Sequence, residues 1–291
     1  MGQKTEEEKN WRIVRNRVCI RALLIFLGII LMQVLAYMLC VFGIMLYGLM
    51  AGQKTVELFG NLAKADTGNG TFVIAVSLVS ALLSGVWCGL LYHKSDWRER
   101  PFDYRAALCG KNILSAAVTG IGCCLFLQMV LSALAMWIPK AFESYNHVMG
   151  NLTNSDTVLM VLYVLFIGPV TEELIFRGAI LDRFYLAFPF LAANFLQSAL
   201  FGIYHMNLIQ GLYAFCFGMV LGLARYVSGS ILIPALMHIL FNATSYSTNY
   251  LFAGEEALSG GVLVLLMFCG AVLFFSGLRY WWRGFQKRVI N

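Results

Sequence analysis

The sequence predicts an all-α protein that crosses a membrane about eight times, and three observations carry that expectation. Apolar residues make up 60% of the 291-residue chain and charged residues only 12%, where a soluble domain carries about 25% charged. The apolar residues gather in runs near or above the roughly 20 needed to span a bilayer as a helix. The basic residues then divide unevenly between the gaps: alternate gaps, counted from the N-terminus, hold 18 of the 21 Lys and Arg, and the others hold three. Excess Lys and Arg marks the cytoplasmic side. Eight crossings with both termini in the cytoplasm satisfy the runs and the charges together.

Each element follows in order. Residues 1–21 form a polar head, in which 11–18 suits either a short interfacial helix or a solvated tail. The uncharged run 22–53 is longer than a crossing requires, so the first helix tilts or protrudes. Crossings two and three are 72–92 and 112–138, the latter closed by Pro139. The fourth begins at Thr157 and ends in the charged cluster that starts at Glu172. The fifth and sixth, 187–205 and 206–224, are joined by almost nothing, and 230–249 and 258–278 complete the eight. The loops 54–71 and 139–156 face outward; Asn69 and Asn151 open glycosylation-type triplets there, which matter only in a secretory pathway. No repeat or long linker divides the chain, so residues 1–291 are expected to form one membrane domain.

Several function classes drop out on composition. The net charge of +6 sits in the gaps between apolar runs, where it reports topology against a lipid bilayer and not a nucleic-acid partner. The eight cysteines lie mostly within apolar runs and contain no CxxC pair, which suits small buried hydrophobes and not a zinc finger or disulfide scaffold. The expected location is a cell membrane, as a multi-pass protein, and the lean loops favour a bacterial plasma membrane.

Chemistry concentrates in three places. Glu172, Glu173 and Arg177 close a run, 157–171, that carries no charge. Ionisable groups at membrane depth cost roughly 2.5–3.5 kcal/mol each on an insertion scale. On a helix, Glu173 and Arg177 share a face and form a natural ion pair, while Glu172 points about 100° away. The plainer alternative is an ordinary charged cluster at the membrane edge. His205 ends an apolar helix, where an interfacial or buried histidine with no further role is the plainer alternative. His238 and Asn242 lie four apart on one face of the seventh helix, placed to reach one ligand, water or metal; helix–helix hydrogen bonding is the competing explanation. Together, a carboxylate, two imidazoles and an amide on three helices can hold and deprotonate a water, and with a divalent ion they make a plausible oxygen/nitrogen site. Neither an HExxH nor a GxSxG motif is present. The helix ends raise one difficulty. At 1.5 Å per residue from the cytoplasmic ends, Glu172 lies ~16 Å deep, His238 ~12 Å and His205 ~27 Å. These depths converge only if the fifth helix tilts or starts later than Ala187.

The elements Glu172-Glu173-x-x-x-Arg177, Phe201-x-x-x-His205 and His238-x-x-x-Asn242 resemble, in order and spacing, the three motifs of the CAAX prenyl endopeptidase and bacteriocin-processing (CPBP, or abortive-infection) family of intramembrane proteases. The approach to the third motif, residues 229–238, is also similar. The resemblance covers 157–249, taken as the catalytic core. It implies hydrolysis of a peptide bond in a membrane-bound, prenylated or leader-peptide substrate, with Glu172 activating water. It implies that His205, His238 and Asn242 orient that water and stabilise the oxyanion, with Glu173 and Arg177 as supporting pair. The cofactor is either none or a divalent metal such as zinc, held in that case by Glu172, His205 and His238; Asn242 suits an oxyanion donor better than a ligand. Two other classes stand as alternatives. One is a non-proteolytic immunity or scaffold protein of the membrane. The other is a transporter using the carboxylates as proton relays, which lacks the paired broken repeats of that class.

Overall fold

In hydrocarbon a backbone must satisfy its own N–H and C=O groups, which a helix does within one segment. The long uncharged runs of this chain obey that rule. A computed structural model describes residues 2–52, 70–93, 107–143, 145–146, 158–252 and 260–290. The described residues contain no strand. Their long helices are α1 (Gly2–Met50), α2 (Gly70–His93), α3 (Gly110–Trp137), α4 (Val158–Tyr185), α5 (Phe190–Tyr204), α6 (Leu208–Ser228), α7 (Leu232–Phe252) and α8 (Gly260–Ile290). The sequons at Asn69 and Asn151, and most of both outward loops, lie outside the described residues.

Six of these helices, α1 to α4, α6 and α8, are long and apolar enough to cross a membrane. Helix α5 is apolar but only 15 residues long, ~22 Å against a hydrocarbon core of ~30 Å. Helix α7 has 21 residues but is diluted by His238, Asn242, Thr244, Ser245 and Thr248. Large apolar side chains such as Leu31, Met38 and Phe42 of α1 are more than half exposed, a surface that only lipid covers without cost. The chain is a multi-pass membrane protein. Eight crossings with both ends cytoplasmic remain the expected topology. It predicts that a cytoplasm-dependent fluorescent reporter fused after residue 291 is active and a secreted phosphatase there is silent; the reverse pattern would contradict it.

Three boundaries differ most from the sequence expectation. Helix α1 runs unbroken through the polar head, because that head holds Glu, Lys and Arg, which favour helix, and no Gly or Pro interrupts it between residues 3 and 27. Helix α8 likewise continues twelve residues beyond Leu278 into a basic last turn with Lys287 and Arg288, the charge sign a helix C-terminus favours. Helix α4 does not end at the carboxylates. It continues to Tyr185, so Glu172 and Glu173 sit near its middle.

The bundle is pinned where small residues let backbones touch. A Cβ on Gly120 of α3 would come within 2.5 Å of the Met237 carbonyl oxygen of α7, an approach only glycine permits. On the far side of α3, Gly122 meets α8 in the same way. Helices α4 to α7 enclose the centre, where Ile175, Phe176, Phe201, Leu221, Ile233 and Met237 are almost wholly buried. This packed centre is what holds the polar groups of α4.

Candidate active site

Helix α4 is irregular around the carboxylates. Five residues before them, Tyr163–Ile167, and seven after, Leu174–Ile180, wind as π-helix, a form that recurs at functional sites. The first of these has a cause and a consequence legible in the residues. The Gly168 N–H donates to the Tyr163 carbonyl, five residues back. In that register the next donor would serve Val164, but residue 169 is proline and has no N–H. The side chain of Asn242 on α7 fills the vacancy: its Nδ2 donates to the Val164 carbonyl at 2.9 Å. Asn242 thus ties α7 to the turn that presents Glu172, and one of its two amide hydrogens remains uncommitted.

That reading makes a stability prediction. Asn242→Ala is expected to cost about 0.5–1.5 kcal/mol, the net worth of one hydrogen bond. In a Pro169→Ala background the loss should shrink, because the new N–H can serve Val164. Thermal unfolding of the four proteins in detergent gives the coupling; equal losses in both backgrounds would contradict the assignment.

Glu173 and Arg177 are fully buried, with an Oε1–Nη1 distance of 2.9 Å. They therefore do not form a boundary cluster. Arg177 also donates to the Gly218 carbonyl of α6 at 3.2 Å, and its guanidinium lies 4.4 Å over the ring of Phe201. Gln197 donates to the same carbonyl and to Asn194, which in turn donates to Met219. This buried amide network behind Arg177 has no signal in the sequence, since isolated Asn and Gln in α5 look like any polar residue of a helix.

Glu173 does more than neutralise Arg177. Its Oε1 accepts from His238 Nδ1 at 2.9 Å, so the proton of a neutral His238 sits on Nδ1 and the lone pair on Nε2. That Nε2 lies 3.7 Å from Glu172 Oε2, too long for a direct hydrogen bond and close enough for one water to bridge. The order Arg177–Glu173–His238 is thus a chain that orients an imidazole toward Glu172.

His205 arrives by a different route. It caps the C-terminus of α5, and two residues later Asn207 caps α6 by accepting from the Gln210 N–H at 3.1 Å. The α5–α6 hairpin is drawn tight by Gly202 and Gly211: a Cβ on Gly202 would fall 2.6 Å from the Gly211 carbonyl oxygen. The helix starts at Phe190, three residues later than expected, and His205 lies beyond its last turn. The later start removes only ~4.5 Å of the depth mismatch, yet His205 lines the same cavity as Glu172. Its Nδ1 donates to the Phe201 carbonyl at 2.8 Å, which again leaves Nε2 with the lone pair.

Glu172, His205, His238 and Asn242 all line one cavity of ≈ 200 Å³. The remaining walls are mostly apolar or aromatic, including Met160, Tyr213, Phe217 and Phe241. Glu172 keeps a fifth of its side chain accessible, while that of His238 is 6% accessible. Both imidazoles offer the lone pair a zinc ligand needs. Among the described residues, however, no three His, Cys, Asp or Glu side chains converge to hold a metal ion. The set Glu172, His205 and His238 does not fit a metal in this conformation.

A second buried acid–base pair lies outside the crossings expected from the sequence. Asp182 of α4 and Arg225 of α6 are both 2% exposed and lie 3.7 Å apart. They read as loop residues only because α4 and α6 were expected to end before them.

Comparison with known proteins bears on residues around this cavity. The model of the Rce1-like family, described as type II CAAX prenyl endopeptidase Rce1-like, matches residues 154–244. A protein of Bacillus subtilis (strain 168), named "Putative membrane peptidase YdiL", is 25% identical over 127 residues, covering 43% of this chain and 52% of that relative. The chain therefore matches about half the length of that relative. No solved structure matches it. The matched stretch contains every residue of the site described above, from Glu172 to Asn242, so the site lies within the part of the chain that is similar to the Rce1-like CAAX prenyl endopeptidase family.

Proposed function

We propose that the protein is an intramembrane endopeptidase that hydrolyses a peptide bond in a membrane-associated substrate, a prenylated chain or a leader peptide, with Glu172 as the general base. One observation carries the reading: Glu172 Oε2 and His238 Nε2 face each other at 3.7 Å on a largely apolar cavity, while Glu173 fixes the imidazole from behind. The family match and the name of the Bacillus relative support the same class.

The chemistry needs only groups already placed. A water between Glu172 and His238 donates one hydrogen bond to each. Glu172 takes its proton as the oxygen attacks the substrate carbonyl carbon. The remaining amide hydrogen of Asn242 supplies a donor for the developing oxyanion, the kind of placed dipole that lowers acyl-transfer barriers most. The C–N bond then breaks, and the departing amine leaves with the proton held by Glu172. His205 presents an acceptor to the water or substrate N–H. Glu173 and Arg177 act as positioning residues, through His238. No step here is routed through a metal.

The apolar walls favour substrates with hydrophobic side chains or an attached lipid near the cut. The test is cleavage of a library of quenched fluorescent peptides bearing an apolar anchor, in proteoliposomes holding the full chain. Wild type should release fluorescence and Glu172→Gln should not. Equal signal from both would overturn the mechanism. A proton-coupled flux without cleavage would favour a transporter, and a biological phenotype kept by Glu172→Gln would favour a scaffold or immunity protein.

A further inference from the structure

Glu172 borders two cavities. The second, of ≈ 130 Å³, shares Tyr163, Gly168 and Glu172 with the first but is otherwise walled by α1, α2, the adjoining turn of α4, and the end of α5. Its character is different. Gln33, Ser77, Ser80, Ser84, Thr171 and Tyr204 give it a lining of hydroxyls and one amide. The three serines fall at positions i, i+3 and i+7 of α2 and so share one face. Gln33 Nε2 donates to the Tyr204 hydroxyl at 2.9 Å, which leaves the Tyr204 proton for another acceptor.

Ser84 is the telling member. Its residue is 1% exposed, and its Oγ is buried without a hydrogen-bond partner in the protein. A polar group left so at membrane depth costs several kcal/mol unless water reaches it. The space is adequate, since one water needs about 10–15 Å³ by a comparable measure and two to four polar partners. Hydrolysis sets a second requirement. A substrate seated in the apolar cavity displaces the solvent there, yet each bond cut consumes one water at Glu172.

We propose that the hydroxyl-lined cavity is a water-binding chamber that supplies Glu172 with its hydrolytic water from the α1–α2 side while a substrate occupies the other. The supply role rests on the endopeptidase reading; the water site itself does not. The stripe of serines is then a functional surface for a small polar ligand, water, and not a helix-packing seam.

Two measurements separate those claims. Radiolytic hydroxyl-radical footprinting of the full-length protein in nanodiscs, pulsed in ¹⁸O water, needs no substrate. Tyr204, which lines only the second cavity, should be oxidised in wild type and in Ser84→Thr, and protected in Ser80→Val/Ser84→Val. In the peptide-cleavage assay the double valine variant should lose about tenfold in kcat with KM little changed, because water and not substrate binding is impaired. Ser84→Thr should retain turnover, and thermal unfolding should show both variants folded. Absence of label at Tyr204 in wild type overturns the chamber. Protection in the valine variant with unchanged kcat overturns its supply role. Labelling as expected with no cleavage by wild type at all leaves the water site standing and removes the endopeptidase reading, and the supply role with it.

Discussion

Glu172→Gln is expected to lower peptide cleavage about 10²–10⁴-fold, the usual range for a positioned general base, and to leave the protein folded. The amide keeps the size and reach of the carboxylate but cannot accept a proton at neutral pH. Stability should hold because Glu172 lies on the cavity wall, and His238 Nε2 stands 3.7 Å away, beyond direct hydrogen-bond reach. Removing one of two adjacent carboxylates also relieves repulsion. Product formation and thermal unfolding of the purified variant read the two halves of this expectation separately. Full cleavage by a folded Glu172→Gln protein would leave the proposed mechanism without its base.

Arg177→Met is expected to have the largest effect on stability. It removes the cation from a pair that is wholly buried and leaves Glu173 as an uncompensated charge, a change that typically costs about 3–5 kcal/mol. The bond to Gly218 and the face-on contact with Phe201 go as well. The double variant Arg177→Met/Glu173→Gln should be distinctly less damaged than the sum of the two single changes, since no charge is then stranded. Chemical unfolding of all four proteins in mixed micelles measures this directly. Strict additivity would mean that the two side chains do not act as a pair. The single variant should also lose turnover in whatever fraction stays folded, because the orientation of His238 depends on Glu173.

The site was legible in the sequence where polar groups interrupt apolar runs. Glu172, Glu173 and Arg177 stand out against 157–171, and His238 with Asn242 stands out against the apolar start of α7; the structure brings Glu172, His238 and Asn242 to one cavity with His205, and buries Glu173 and Arg177 behind it. The ion pair of Glu173 with Arg177 follows from helical spacing alone. What the spacing did not show is the third partner, because the contact of Glu173 with His238 spans 65 positions and depends on how α4 and α7 pack.

Charge also misled. A cluster with three ionisable groups resembles a membrane boundary, so α4 was expected to stop where it is in fact most deeply packed, and Asp182 with Arg225 was assigned to loops. Pairing within α4 and between α4 and α6 offsets part of the cost that such groups carry singly. The structural duty of Asn242 was hidden for another reason. It follows from Pro169 only once the π register of 163–167 is known, and no propensity in those five residues announces it. The serines of α2 carried a periodic signal, but serine is common in membrane helices as packing glue, and nothing in the sequence pointed their face at Glu172.

The central claim is that Glu172 cuts peptide bonds in the membrane. Its most direct test is quantitative peptidomics of cell membranes expressing wild type or Glu172→Gln at matched levels. Fragments or mature termini, with apolar or lipidated residues beside the cut, should be present with wild type and vanish in the variant. Identical peptide profiles, with the biological phenotype intact in the variant, would contradict it.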